Sequence, residues 1–172
     1  MKRNLHGLRQ RWMANSMSIV TVIMLLTCGL FCASIAAYYY SAVESDMTTR
    51  AKTAISFMNR SGISGYSEYY AAAYHYTRSF SDRDKLEMQF IDAAGKIETS
   101  SYNFTAGLSP GTVDISTALK SGSVGIFTGR DSHTGEKIVA VSCPLIYDGS
   151  AIGAIRYVTS AHLIDQDRKS VV

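Results

Sequence analysis

The chain has 172 residues, of which 47% are hydrophobic and 18% are charged. That length accommodates one modest domain with accessory segments, and the low charge excludes an intrinsically disordered chain. Two prolines and 13 glycines exclude a collagen-like or proline-rich protein, and three cysteines are too few for a disulfide-stapled secreted miniprotein.

The net charge of +3 comes from the N-terminus. The first 11 residues contain Lys2, Arg3, Arg9 and Arg11 and no acid, whereas the rest of the chain carries 13 basic and 14 acidic residues. A basic leader in front of a nearly neutral domain does not form a basic stripe along one face, which is how nucleic-acid-binding surfaces are built. We therefore expect no nucleic-acid partner.

A transmembrane helix is predicted for residues 16–40, behind a basic cytoplasmic leader formed by residues 1–15. Residues 19–37 form a dense apolar run, close to the ~20 residues that a helix needs to cross the hydrocarbon core. Basic residues before this run and tyrosines after it place the N-terminus in the cytoplasm and the remainder outside the cell or in the periplasm. The expected partner of this segment is the lipid bilayer of the cell membrane.

The same segment has features of a cleaved signal peptide, including small residues at Ser34 and Ala36. Its apolar run is longer than the ~7–15 residues of a signal-peptide core, which favours an anchored helix. Cys28 and Cys32 lie in this helix, where packing is their expected role. Cys143 is expected to be a buried, reduced thiol.

Two further helical stretches are predicted after the membrane segment. Residues 41–60 contain no Pro or Gly and repeat apolar side chains at three- and four-residue steps, so this amphipathic helix can continue the membrane helix without a break. A second helix covers residues 66–80 and is rich in tyrosine. These rings either rest on a sheet with their hydroxyls in water or line a ligand site, and we favour the first alternative.

Five strands and a small helix are predicted in the rest of the chain. The strands cover residues 86–90, 97–101, 123–130, 137–147 and 150–160. Asp114 is expected to cap a short helix over residues 115–121. Pro144 predicts a bulge or an early end of the fourth strand, and Asp148-Gly149 predicts a tight hairpin turn after it. The last residues, 161–172, are expected to form an exit helix.

Motifs for catalysis are missing from the sequence. The pentapeptide at residues 107–111 matches the G-x-S-x-G pattern of serine hydrolases, but Pro110 has no N–H to contribute to an oxyanion hole. We therefore predict no catalytic residue, no cofactor and no metal site. Cations and tyrosines near the later strands could bind a carboxylate or a phosphate and provide a polar aromatic wall. These candidate ligand-binding residues are Arg130, Lys137, Tyr147, Arg156 and Tyr102.

Two stretches resemble PAS-like and Cache (PDC-type) extracytoplasmic sensor domains. Residues 90–97, FIDAAGKI, resemble the hairpin in which a strand, an Asp and a Gly-containing turn lead into a second strand. Residues 139–149, VAVSCPLIYDG, followed by IGAI at 152–155, resemble the closing hairpin of these domains. The resemblance implies an α+β fold in which the transmembrane helix continues into a long helix, followed by a five-stranded antiparallel PAS-like sheet flanked by helices.

The resemblance also implies a function. Residues 41–160 would form the sensor domain, and residues 161–172 would lead to a second membrane span that this sequence does not contain. Such domains occur in sensor histidine kinases, chemoreceptors and cyclase regulators, and they commonly form homodimers through the first helix. We expect the signal-input region of a two-component sensor histidine kinase, which detects a small molecule, an ion or a protein and relays the signal by helix movement to a phosphorelay. The alternative is a membrane-anchored or secreted binding or accessory protein without kinase output.

Overall fold

The structure, a computed structural model, describes residues 5–60, 65–82, 84–102 and 106–161. It divides the chain into two compact units, Met1–Tyr40 and Ser41–Val172. The exit helix expected over residues 161–172 lies outside the described residues, apart from Ala161.

The first helix, α1 (Leu5–Arg60), is 56 residues long. It contains a segment that is long and apolar enough to cross a membrane, and the most apolar part of that segment is not buried by other parts of the protein. Large side chains such as Leu25 and Phe31 are about two-thirds exposed, at 68% and 67%. The hydroxyls of Thr21 and Thr27 donate to backbone carbonyls one turn earlier, which satisfies these polar groups within the helix, as a bilayer requires.

Five strands form one antiparallel sheet in the order β2-β1-β5-β4-β3. The strands are β1 (Glu87–Asp92), β2 (Ile97–Ser100), β3 (Gly125–Arg130), β4 (Lys137–Tyr147) and β5 (Ser150–Ser160). The two 11-residue strands, β4 and β5, pair along their whole length, and β5 lies at the centre of the sheet. The predicted five-stranded antiparallel sheet and the α+β class are therefore confirmed.

The turns follow the local signals in the sequence. Asp148 and Gly149 both have positive φ, 49° and 75°, which is the backbone that a two-residue hairpin turn requires. The register shifts between Leu145 and Ile146, immediately after Pro144, which confirms the predicted bulge. The strand does not end early, since pairing continues to Tyr147.

One face of the sheet, the face that carries Phe90 and is called the first face below, packs against the C-terminal part of α1 and against α2 (Tyr66–Arg78). From α1, Met47, Ala51 and Ala54 are completely buried. The Tyr70 ring of α2 lies 4.8 Å from that of Phe90 on β1, in an edge-to-face contact. Tyr70 therefore packs on the sheet, as the favoured sequence interpretation predicted. The expectation that the tyrosine hydroxyls lie in water was wrong for Tyr69, whose hydroxyl is buried.

The second face carries α3 (Val113–Ser121), which buries Ile115 against Ile91 and Ala154 of the sheet. The prediction that Asp114 caps this helix was wrong. The N-cap is Thr112, and Asp114 lies within the first turn with its side chain completely buried. The local sequence could not reveal this, because the partner of the Asp114 carboxylate comes from a distant strand.

Candidate functional site

A pocket of about 420 Å³ lies beside α3 on the second face of the sheet. This volume is within the range of small-molecule sites. Strands β1 and β5 provide the floor, with Glu87, Gln89, Arg156 and Val158 among the lining side chains. The loop between β3 and β4 provides a wall. The rest of the lining includes Lys85 before β1, residues just after β2 and just before α3, and the apolar side chains of Ile97 and Ile138.

The pairing of β1 with β5 places the polar residues of the pocket floor next to one another. Gln89 of β1 lies opposite Arg156 of β5, and Glu87 lies opposite Val158. Because side chains alternate between the two faces of a strand, Glu87, Gln89 and Arg156 all point to the pocket side. The antiparallel pairing of β1 with β5 thus joins residues that are 67 positions apart in the chain.

Arg156 is the centre of this floor, and its side chain is only 1% exposed. Each guanidinium nitrogen donates a hydrogen bond: Nε to Asp114 Oδ2 at 2.8 Å, Nη1 to Gln89 Oε1 at 3.0 Å and Nη2 to Thr112 Oγ1 at 3.1 Å. Ser142 Oγ also donates to Asp114 Oδ2, at 2.7 Å. A buried charge requires this degree of pairing, and the bonds fix the guanidinium in one position.

The network continues along β1 to the edge of the sheet. Gln89 accepts from Arg156 through its carbonyl and donates through Nε2 to Glu87 Oε1, at 2.8 Å. Ser100 Oγ of β2 donates to the same oxygen of Glu87, at 2.6 Å. The row of bonds therefore runs from α3 across β5 and β1 to β2, and it includes the Glu87 carboxylate, which lines the pocket.

Asp131 stabilises the conformation of the β3–β4 loop, which forms a wall of the pocket. Its Oδ1 accepts hydrogen bonds from the backbone N–H groups of His133 and Thr134, at 2.9 and 2.8 Å. Partial burial raises the pKa of Asp131, but these hydrogen bonds outweigh that effect and hold the pKa below its usual value. Glu136, which follows in the loop, accepts a hydrogen bond from the hydroxyl of Ser160 on β5. Both carboxylates belong to the pocket lining.

Of the five residues predicted to bind a ligand, the pocket lining contains Arg156 and Tyr102. Arg130 and Lys137 face each other where β3 and β4 enter the loop, and the Arg130 guanidinium donates to the carbonyl of Gly135 at 2.9 Å. Tyr147 lies elsewhere, with its ring 6.3 Å from the Tyr69 ring on α2. The structure thus brings together two of the five residues in one cavity.

Sequence reasoning missed Glu87, Gln89 and Asp114. Polar and apolar residues alternate along residues 86–90, which predicts a half-buried strand with Glu87 and Gln89 on its polar side. That expectation was wrong in one respect, since both sides of β1 are buried. The alternation could not show that the polar side is the floor of a pocket, because that depends on α3 and the β3–β4 loop covering the sheet. Nothing local pairs Asp114 with Arg156, which lies 42 positions later.

Two other features bear on chemistry. Among the residues that the structure describes, no group of three His, Cys, Asp or Glu side chains could hold a metal ion. Cys143 is buried, as expected, and burial raises the pKa of its thiol to about 11, which keeps it protonated at neutral pH.

Solved structures of extracellular sensor domains are similar to this chain. An extracellular ligand-binding receptor from Desulfohalobium retbaense matches with a TM-score of 0.54 and 17% identity over 73% of this chain and 24% of that chain. The ligand-binding domain of the Pseudomonas aeruginosa amino-acid chemoreceptor PctC, in complex with GABA, matches with a TM-score of 0.53 and 16% identity over 81% of this chain and 65% of that chain.

The ligand-binding domain of the Campylobacter jejuni chemoreceptor Tlp3, in complex with 4-methylisoleucine, matches with a TM-score of 0.50 and 13% identity over 74% of this chain and 56% of that chain. The chain thus spans between a quarter and two-thirds of the length of these structures. No protein-family model and no curated protein sequence matches the chain. At these identities the comparisons establish the fold, which is that of the Cache (PDC-type) extracellular sensor domains.

Proposed function

We propose that residues 41–160 form the extracytoplasmic sensor domain of a membrane receptor and that the pocket beside α3 is its ligand site. The observation that carries the proposal is the pocket floor, where a completely buried Arg156 is fixed by three hydrogen bonds below a cavity of about 420 Å³. The domains of PctC and Tlp3, which have this fold, were solved with small molecules bound, and this supports a small-molecule signal.

The N-terminal part of α1 serves as the membrane anchor in this proposal. Its apolar side chains are exposed, and the basic residues before them favour a cytoplasmic N-terminus. The pocket then lies on the opposite side of the bilayer, outside the cell or in the periplasm.

The signal passes through the part of α1 that packs on the first face of the sheet. Three side chains of this part of the helix are completely buried there, those of Met47, Ala51 and Ala54. A change in the sheet therefore changes the position of the helix. A ligand moves this equilibrium only if it binds the two arrangements with different affinities. As the output we propose the kinase domain of a sensor histidine kinase, on the cytoplasmic side of the membrane.

Ligand screening by thermal unfolding tests the pocket. The full chain in detergent is screened against amino acids, amines and carboxylic acids, and His133→Trp is compared with the wild type. His133 lines the pocket and its side chain is exposed, so the larger ring narrows the cavity, and the stabilisation by a bound ligand should disappear. Ser123→Trp, at a separate cavity, is the control and should retain it. Equal stabilisation of both variants would place the ligand elsewhere.

We also propose that the chain forms a homodimer through α1, and oxidative crosslinking tests this. Cys28 and Cys32 are exposed on α1, so two parallel α1 helices in one membrane should form a disulfide-linked dimer through them. A Cys28→Ser, Cys32→Ser variant should remain monomeric on a non-reducing gel. The absence of crosslinks at any lipid-to-protein ratio would argue against contact through this helix.

A further inference from the structure

The pocket is lined by one paired positive charge and by several carboxylates. Arg156 contributes a positive charge to the floor, but Asp114, outside the pocket lining, forms an ion pair with it at 2.8 Å. The lining also contains three carboxylates, from Glu87, Asp131 and Glu136, and one ammonium group, from Lys85. After the Arg156 pair is set aside, acidic groups outnumber basic groups at the cavity.

The hydrogen bonds leave acceptor capacity on these carboxylates. At Glu87, both side-chain donors, Gln89 Nε2 and Ser100 Oγ, bind the same oxygen, Oε1. At Glu136, the hydroxyl of Ser160 also binds Oε1. A carboxylate accepts through two oxygens, and the side chains of the described residues bind only Oε1, so Oε2 of each residue remains for a donor in the pocket.

The carboxylates are distributed around the cavity. Glu87 lies on β1, whereas Asp131 and Glu136 lie at the two ends of the β3–β4 loop. No group of three His, Cys, Asp or Glu side chains among the described residues could hold a metal ion. By strand order, Val158 on β5 lies between Glu87 on β1 and the start of β4, and Ile97 and Ile138 add apolar surface to the lining. Separated acceptors with apolar surface between them fit an extended organic cation rather than a bare metal ion.

We propose that the ligand of this pocket is a small organic cation without a carboxylate, an alkylammonium compound whose N–H groups bind the carboxylates of Glu87 and Glu136. This inference rests on the proposed function, and it adds the charge class of the signal. The fixed Arg156 does not attract an anion as a free guanidinium would, because its charge is already paired with Asp114. Ile138 and Val158 contact the alkyl part of the ligand.

Calorimetric titration of the full chain in detergent tests the charge class with matched probes. Butylammonium and 1,4-diaminobutane carry only positive charge, butyrate carries only negative charge, and 4-aminobutyrate carries both. We expect heat of binding from at least one of the two cations and a weaker affinity for 4-aminobutyrate. Glu87→Gln should weaken cation binding about 10-fold or more, because an ionic hydrogen bond becomes a neutral one. Glu98→Gln, on β2 and outside the pocket lining, is the matched control and should leave the affinity unchanged.

The outcomes separate this inference from the proposed function. Binding of butyrate or 4-aminobutyrate in preference to both cations, abolished by His133→Trp, would keep the pocket as a ligand site and overturn the cation assignment. Cation binding that Glu87→Gln and Glu136→Gln both leave unchanged would also overturn it. If none of the four probes binds a chain that unfolds cooperatively, the cation assignment is wrong, whereas the thermal-unfolding screen with the wider set of compounds still decides the proposed function.

Discussion

Replacing Asp114 with Ala tests the buried network beneath the pocket. Asp114 is completely buried and Arg156 is 1% exposed, so the substitution leaves a guanidinium in the protein interior without its counter-ion. Removing one partner of a buried pair costs about 3–5 kcal/mol. Two hydrogen bonds are also lost, those donated by Arg156 Nε and by Ser142 Oγ to Asp114 Oδ2.

The expected effect can be measured by thermal unfolding. For a unit of this size, 1 kcal/mol corresponds to about 3–4 °C in Tm, so Asp114→Ala should lower Tm by about 9–20 °C. The near-ultraviolet circular dichroism of the tyrosines reports loss of tertiary packing in the full chain in detergent. Asp114→Asn keeps an oxygen acceptor and should lose less.

A double variant separates the ion pair from simple loss of packing. Asp114→Leu combined with Arg156→Met removes both charges and fills similar volume, so it should recover most of the stability that either single change loses. If Asp114→Ala costs less than about 1 kcal/mol, or if the double variant is as unstable as the sum of the single ones, the buried pair does not stabilise the folded domain.

Three further predictions concern other parts of the domain. Gly125→Ala should destabilise the domain strongly, because the added Cβ would lie 2.1 Å from the backbone oxygen of Asp114. Gly65→Ala is the control and should change Tm little, since its added Cβ would have no atom within 4 Å. Equal Tm values for the two variants would contradict the close approach of Gly125 to the backbone of Asp114. Tyr70 should titrate near pH 12 in an absorbance titration, since burial and the nearby Glu98 carboxylate raise its pKa; its contribution to stability is complete below pH 10 and is lost as the pH rises through 12. Burial also raises the pKa of Tyr69 and Tyr157, so Tyr70→Phe should reduce the late phase by one tyrosine, and an unchanged late phase would contradict the raised pKa of Tyr70. In a Cys28→Ser, Cys32→Ser variant, which leaves Cys143 as the single thiol, Cys143 should resist iodoacetamide at pH 8 and react in urea, because burial keeps its thiol protonated; rapid labelling of this folded variant would show that the strand opens.

The sequence determined the local structure of this protein. The uncharged apolar run predicts a helix suited to a bilayer, because it is long enough to cross the hydrocarbon core and its side chains are apolar throughout. The Asp148-Gly149 pair dictates the β4–β5 turn, because few other residues tolerate positive φ at both positions. Alternation of polar and apolar residues along Glu87–Phe90 separates a polar side of β1 from an apolar one, although both sides are buried in the structure. These features depend on neighbours within a few positions, so they could be predicted from the chain alone.

Only the tertiary structure decided which residues form the site. Arg156 was a candidate because a cation near the later strands could bind a carboxylate or a phosphate, but its role depends on Asp114, Gln89 and Thr112, which come from two other parts of the chain. Asp114 had the local features of a helix cap, and the approach of β5 made it a buried counter-ion instead. Arg130 and Lys137 follow the same sequence logic as Arg156 but lie at an exposed hairpin. Burial and the charge pairing of α3 with the distant strand β5, which no local pattern encodes, therefore determined the pocket and the charges that remain for its ligand.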